Sequence, residues 1–323
     1  MGEANIDEMA GALPQVDDKL LLDMHVHVGP EYLRRRYTAE ALMEEGRREG
    51  FGAVMKNHFQ PTTAWVSQAV RSDDKVRFAG AIVLNAAIGG VDDHAIRSLL
   101  SGWKEDVRAP DPRHGGAVVW MPTLSTEAHL NLYERREMPE AWGVRGKYSR
   151  FVPIGCGYRL DEKDEKGMAA LDRMLKAVAE NDLTLATGHL NAAETVALVK
   201  RAHATGIRRI LMTHPLFQAT NQEVDVLVRL WRDYGAYSEL AFVNIAMDHL
   251  SYEQYVEVIR AVGPDGVVLT TDLGQVMNVK VADGWREYMV ELKKRGVKDD
   301  EITRMAVLNP HRILYGAELA ART

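Results

Sequence analysis

The sequence predicts an α/β fold, a (β/α)8 TIM barrel, on three observations. Eight short apolar segments recur along the chain. Each is followed by a helix-like segment with its own start or stop signals, and such alternation predicts a parallel sheet. Eight units over ~250 residues is the size of a closed barrel. Third, histidines, a lysine and carboxylates fall at the ends of these apolar segments, which a barrel gathers on one face. Strand count alone does not show closure, so a doubly wound open sheet fits the same alternation.

The first strand, 20–28, is an apolar run stopped by Gly29-Pro30. Thr38 can cap a helix over 39–49, ended by Gly50. Strand two is 51–56, followed by Asn57-His58-Phe59-Gln60-Pro61, and Thr62 or Thr63 caps a helix to about 70. Strand three, 76–84, runs to Asn85 and the Gly89-Gly90 turn, with a helix over 92–100. Strand four, 117–121, ends at Pro122. The stretch 122–165 has charges and aromatics but no period, and reads as a lid-like inserted loop. Alternation then resumes: helix 167–179, strand 183–189, helix 192–204, strand 209–214 stopped by Pro215, and helix 222–234. Strand 236–240, helix 252–262 and strand 266–272 complete the eight, with C-terminal helices over 285–294 and 300–307. The domain reading is an N-terminal extension, 1–19, and one barrel domain, 20–323.

Composition narrows the functional classes. The chain of 323 residues is 46% hydrophobic, as for a globular protein with a sizeable core. Its net charge of −6 argues against a general nucleic-acid binder. A single cysteine, Cys156, excludes an internal disulfide framework and fits a reducing cytoplasm. The first fifteen residues have neither a basic start nor an apolar run, so no signal peptide is expected. No apolar run approaches the ~18 residues of a membrane span, and the myristoylation pattern fails after Gly2. The expected partner is a small-molecule substrate, with neither nucleic acid nor membrane, and a homo-oligomer is compatible with the composition.

Two imidazoles two residues apart on one strand share a side, so His25 and His27 form half a metal site. Lys56 and His58 end strand two, His189 strand five and His214 strand six; Glu239 is near the end of strand seven and Asp272 ends strand eight. Histidines and carboxylates are the ligand types of zinc or a similar divalent ion. Each has a plainer reading alone: a hydrogen-bonded structural histidine, or an aspartate that caps a helix. Their joint placement is what points to metal. His94 and His203 fall in helices, His114 and His129 in loops, His249 in a connection and His311 in the C-terminal segment, and all six read as surface, packing or structural residues.

His-x-His on strand one, His on five, His on six and Asp on eight resemble the amidohydrolase superfamily of metal-dependent hydrolases, from about Leu20 to Gly316. The tail Asn309-Pro310-His311-Arg312-Ile313-Leu314-Tyr315-Gly316 is similar to the Asn-Pro-Ala-Arg-Leu-Leu-Gly ending common in that group. Locally, Asp-Met-His-Val-His-Val-Gly-Pro, Lys-Asn-His-Phe-Gln-Pro-Thr, Val-Trp-Met-Pro-Thr and Thr-Gly-His-Leu resemble an uncharacterised branch to which no activity attaches.

The resemblance implies a divalent metal, Zn²⁺ first and Mn²⁺ or Fe²⁺ as alternatives. Its ligands would be His25, His27, His189, His214 and Asp272, with Asp272 as general base and His214 able to polarise the substrate carbonyl. The implied reaction is hydrolysis of an amide, cyclic amide or related bond of a small polar substrate; a metal-dependent decarboxylase or lyase is the alternative, then a non-catalytic binding barrel. One departure stands out. Binuclear members bridge two metals from the end of strand four, where this chain has Trp120-Met121-Pro122-Thr123. One metal is therefore expected, with Lys56 either a substitute bridge or a partner for an acid or a substrate carboxylate. Glu194 resembles a catalytic glutamate of some mononuclear deaminases, but at a helix start it also serves the helix dipole. Trp120, Arg145 and Tyr148 are expected substrate contacts, and His58 and Glu239 additional ligands or substrate-binding groups.

Overall fold

The computed structural model describes residues 12–103, 116–133 and 157–316. Eight parallel strands follow one another in chain order: β1 (Lys19–His27), β2 (Phe51–Lys56), β3 (Phe78–Val83), β4 (Ala117–Trp120), β5 (Thr184–Ala186), β6 (Ile210–Met212), β7 (Tyr237–Ala241) and β8 (Val267–Thr270). A two-residue strand, Gln15–Val16, pairs antiparallel with the start of β1. The first and last barrel strands meet. His27 N–H donates to Leu273 O at 2.7 Å and Asp272 N–H to His25 O at 2.8 Å, beside a parallel bridge between Val26 and Leu273. An open doubly wound sheet has no such seam, so the fold is the closed barrel.

The helices lie where the sequence signals place them. Helix α1 (Ala39–Glu49) starts at Thr38, whose hydroxyl accepts from Ala41 N–H at 3.2 Å, and ends at Gly50 with φ 83°. Then come α2 (Thr63–Ala69), α3 (Asp93–Ser101), α4 (Glu127–Tyr133), α5 (Glu165–Glu180), α6 (Ala192–Thr205), α7 (Val224–Tyr234), α8 (Phe242–Met247), α9 (Tyr252–Val262), α10 (Val281–Lys294), α11 (Asp299–Thr303) and α12 (Asn309–Tyr315), with a π-helical turn at Arg304–Leu308. Three lie outside the expected helices: α4 is within the stretch read as an irregular insertion, α8 follows β7 directly, and α12 falls in the C-terminal tail. Asn309–Tyr315, the tail that carries the resemblance, closes the lower end of the barrel. Its Ile313, Leu314 and Tyr315 pack with the inward-facing Leu22, Met24, Val54 and Trp120, while Thr184 donates to Ile313 O at 2.6 Å.

One irregularity decides where the site points. Leu22 and Met24 face the barrel interior, whereas Leu21 and Val26 pack outward against helices. The pairing of β1 with β2 shifts register between Asp23 and Val26. An extra residue in a strand reverses the alternation beyond it. His25 and His27 therefore turn inward, although strict alternation from Leu22 would send them outward.

Candidate metal centre

His25 and His27 reach the upper face of the barrel from β1, and Asp272 reaches it from just beyond β8. His25 Nε2 and His27 Nε2 lie 3.0 Å and 2.9 Å from the same oxygen, Asp272 Oδ1. That oxygen nevertheless has no hydrogen bond of acceptable geometry. Three ligand-type atoms that crowd one point without hydrogen bonds to one another are what an ion's ligand shell looks like. Tetrahedral ligands at Zn bond lengths of 2.0–2.2 Å sit about 3.3 Å apart. The donor set of two imidazoles and a carboxylate suits a divalent ion such as Zn²⁺, so these residues fit a metal.

Asp272 holds a left-handed backbone, φ 53°, and His214 lies at the edge of that region, φ 21°. Non-glycine residues rarely do so, and such conformations concentrate at functional sites. Close backbone approach shapes the neighbouring turns. A Cβ on Gly274 would lie 2.1 Å from His27 O, and one on Gly188, before His189, 2.4 Å from Met121 O. Glycine is required at both.

A second layer orients the first. His25 Nδ1 donates to Glu239 Oε1 at 2.8 Å, which leaves its Nε2 lone pair for the centre. Glu239 also accepts from Thr270 Oγ1 at 3.0 Å and from His214 N–H at 3.0 Å. Burial raises its carboxyl, but the charge and hydrogen bond of His25 outweigh this and hold it below the usual range. Beneath, the buried Asp23 accepts from Thr271 N–H and Oγ1 and from Trp285 Nε1. Burial pushes it up to about 6, against those bonds.

His189 and His214 form a separate pair, Nε2 to Nε2 at 3.3 Å, and do not join the close group of His25, His27 and Asp272. His58 stacks on His27 with ring centroids 4.6 Å apart, and its Nδ1 lies 3.3 Å from the Glu31 carboxylate and 3.1 Å from Arg35 Nη2. His27, Glu31 and His58 form a second close set of ligand types, but the Arg35 guanidinium already bonds Glu31. Among the described residues a third such set, Asp92, Asp93 and His94, is superficial, and Arg173 pairs with both its carboxylates.

Lys56 is buried with Nζ 2.8 Å from His25 Nε2 and 5.1 Å above the Trp120 ring. Burial pushes its ammonium down to about 8, although Asp272 and Glu239 oppose this.

Several expectations need correction. Trp120 is fully buried against His25 and Lys56, outside the pocket lining, so it is a wall of the site and not a substrate contact. Arg145 and Tyr148 lie outside the described residues, as do Cys156, His114 and most of the lid-like stretch. Strands β5, β6 and β8 are shorter than read, so His189, His214 and Asp272 stand on the turns just beyond them. Two expectations hold, the helix-start role of Glu194 and the structural role of His311: Glu194 closes a capping box, accepting from Asn191 N–H at 2.9 Å and from Leu160 N–H at 3.0 Å, and lies outside the pocket lining. His311 Nε2 donates to Leu20 O at 3.0 Å, a structural contact.

Sequence reasoning missed His129. Its neighbours read as a loop, yet it is on α4, buried, lines the pocket, and its Nδ1 lies 2.9 Å from His189 Nδ1. Thr126 before it, whose hydroxyl accepts from His129 N–H at 3.2 Å, was the local helix-start signal. The pocket above the centre has a volume of about 160 Å³ and is lined by His27, Lys56, His58, His129, His189, His214 and Asp272 below.

Comparison with known proteins adds the fold and a family match. The model of DUF6282, a family of unknown function, matches residues 21–239. No curated protein matches the sequence. Among solved structures, an amidohydrolase from Pseudomonas aeruginosa is similar at 10% identity, covering 97% of this chain and 100% of its own, with a TM-score of 0.54. An amidohydrolase from Mycoplasma synoviae is 14% identical over 92% of this chain and 88% of its own, TM-score 0.51. A variant organophosphorus hydrolase is 14% identical over 92% of both chains, TM-score 0.52. The shared feature is the fold, the barrel of the amidohydrolase structures. No helix among the described residues is long and apolar enough to cross a membrane.

Proposed function

This chain belongs to DUF6282, a family of unknown function, and from that premise we propose that it is a metal-dependent hydrolase that cleaves a C–N bond of a small amide or cyclic amide. The observation that carries the reading is the convergence of His25 Nε2, His27 Nε2 and Asp272 Oδ1 on one point, without hydrogen bonds among them. These three residues would hold one divalent ion, Zn²⁺ first among candidates with Mn²⁺ and Fe²⁺ next. When bound, the ion makes water acidic and polarises a carbonyl oxygen.

The protein's own groups do the rest. Asp272 takes the proton of the attacking water and returns it to the departing nitrogen, so that amide and water become carboxylic acid and amine. Metal ligands bind deprotonated, so with the ion in place Asp272 would be a carboxylate able to accept a proton. His214, whose ring lines the pocket, hydrogen-bonds the oxygen that gains charge. Glu239 fixes the His25 ring. Leu33, Leu124 and Phe217 restrict water on the pocket walls. A cytoplasmic location and a small-molecule partner accompany this reading.

The test loads metal-depleted protein with each ion and follows a panel of amides and cyclic amides in ¹⁸O-water. Hydrolysis puts label into the acid product and releases amine. Carbon dioxide release with no label in the organic product would favour a lyase instead, and no turnover with a fully loaded centre would favour a binding barrel.

A further inference from the structure

The pocket rim contains a positive charge that no described residue pairs. Three arginines follow one another after β1. Arg35 turns inward to the buried Glu31, and Arg36 turns to the β8–α10 loop, donating to Val276 O at 3.0 Å. Arg34 lines the pocket, is exposed, and has no ion pair or side-chain hydrogen bond among the described residues. Its backbone is nevertheless held. Gly29 N–H donates to Tyr37 O at 2.8 Å, Arg36 N–H to Gly274 O at 2.7 Å, and Arg35 bridges Gln275.

The other charges around the cavity are engaged. Lys56 lies against His25, Asp272 against His25 and His27, and Asp248 accepts from Asn244 Nδ2 at 2.6 Å. The uncompensated charge is therefore that of Arg34. Beside it the rim is apolar in an unusual way. Met247 and Met277 both line the pocket and are 48% and 62% exposed, two of only four large hydrophobic side chains exposed among the described residues. Flexible thioethers at a binding mouth suit an apolar group of variable shape. The cavity, about 160 Å³, is close in size to one that takes a single benzene ring.

We propose that the substrate is a small carboxylate-bearing amide, of the N-acyl amino acid class, whose carboxylate is held by Arg34 and whose apolar side group rests on Met247 and Met277. The assignment deepens the hydrolase reading and rests on it for the amide, while the carboxylate and apolar contacts stand on the rim alone. A guanidinium pairs with carboxylate through two parallel N–H donors, and a neutral carboxamide cannot replace that partner.

The experiment compares N-acetyl-leucine with N-acetyl-leucinamide by titration calorimetry on metal-loaded and on chelator-treated protein. Expected is a preference for the acid of about tenfold in both preparations, which Arg34→Gln reduces to near one without changing metal content or melting temperature. Arg34→Lys should restore part of the preference, and Met277→Ser should weaken acid and amide alike. Equal binding of the two ligands, no acid binding at millimolar concentration, or a preference that survives Arg34→Gln overturns the proposal. Protein that binds no metal would sink the hydrolase reading and still leave the acid preference measurable in chelator-treated samples, so the two failures are told apart.

Discussion

The backbone N–H of Asp272 donates to the carbonyl oxygen of His25 at 2.8 Å, and the side chains of the same two residues meet with His25 Nε2 3.0 Å from Asp272 Oδ1. The seam that closes the barrel and the candidate metal centre are thus one feature. Residues far apart in sequence are brought together by the closure itself, with no loop needed to carry them.

The two β1 histidines should respond differently to truncation. His27→Ala is expected to lose the bound ion, with little change in melting temperature, because His27 Nδ1 has no partner to strand. His25→Ala should lose the ion and also cost about 1–3 kcal/mol, since it removes the Nδ1–H donor of the buried Glu239 carboxylate. Elemental analysis and thermal unfolding measure both. A stoichiometric ion retained in His27→Ala would remove His27 from the ligand set.

Asp272→Asn should lower turnover by at least about 100-fold, because an amide cannot take the water proton, while the histidines keep part of the metal. The check is the rate of the variant after reloading, normalised to its measured metal content. Wild-type turnover per ion would exclude Asp272 as the base.

One equivalent of metal is expected, because β4 ends in Trp120, followed by Met121, and offers no bridge. Lys56 is the group placed to change that. Its Nζ is 2.8 Å from His25 Nε2, and burial pushes it down to about 8, so a reactive neutral amine is accessible near neutral pH. Carboxylation would convert it to an anionic bridge. Metal analysis with and without bicarbonate decides: two equivalents that fall to one in Lys56→Ala would overturn the single-ion expectation.

Glu31 should make the protein sensitive to acid. Burial raises its carboxyl, but Arg35 and His58 outweigh this and hold it at about 2, below the 4.5 of a free side chain. A depressed carboxyl contributes stability that is fully present above the unfolded value and lost as pH falls through the folded one. The window is therefore pH 4.5 down to about 2, and the contribution above it is about 3 kcal/mol. Glu31→Gln should flatten the unfolding free energy across that window relative to wild type; parallel curves would contradict the assignment.

Local chemistry made much of the molecule legible. The apolar runs, the cap at Thr38, the stop at Gly50 and the break at Pro122 are neighbour effects, and each helix or strand they predict is present within a few residues. That His25 and His27 share a side followed from strand geometry alone. Which side they share did not, because the shift between Asp23 and Val26 reverses the alternation and shows only in the pairing of β1 with β2. Closure rests on hydrogen bonds between β1 and the turn after β8, which no periodicity encodes. The same distance problem hid His129, whose place beside His189 depends on where α4 folds back over the barrel, and misassigned Trp120, a polar-tipped aromatic at a strand end that turns out to be packed beneath Lys56. Sequence by itself determined which residue types stand at the strand ends, because that is written in short-range order. Only the tertiary structure decided which donor atoms meet, because long-range closure and one bulged strand set their directions.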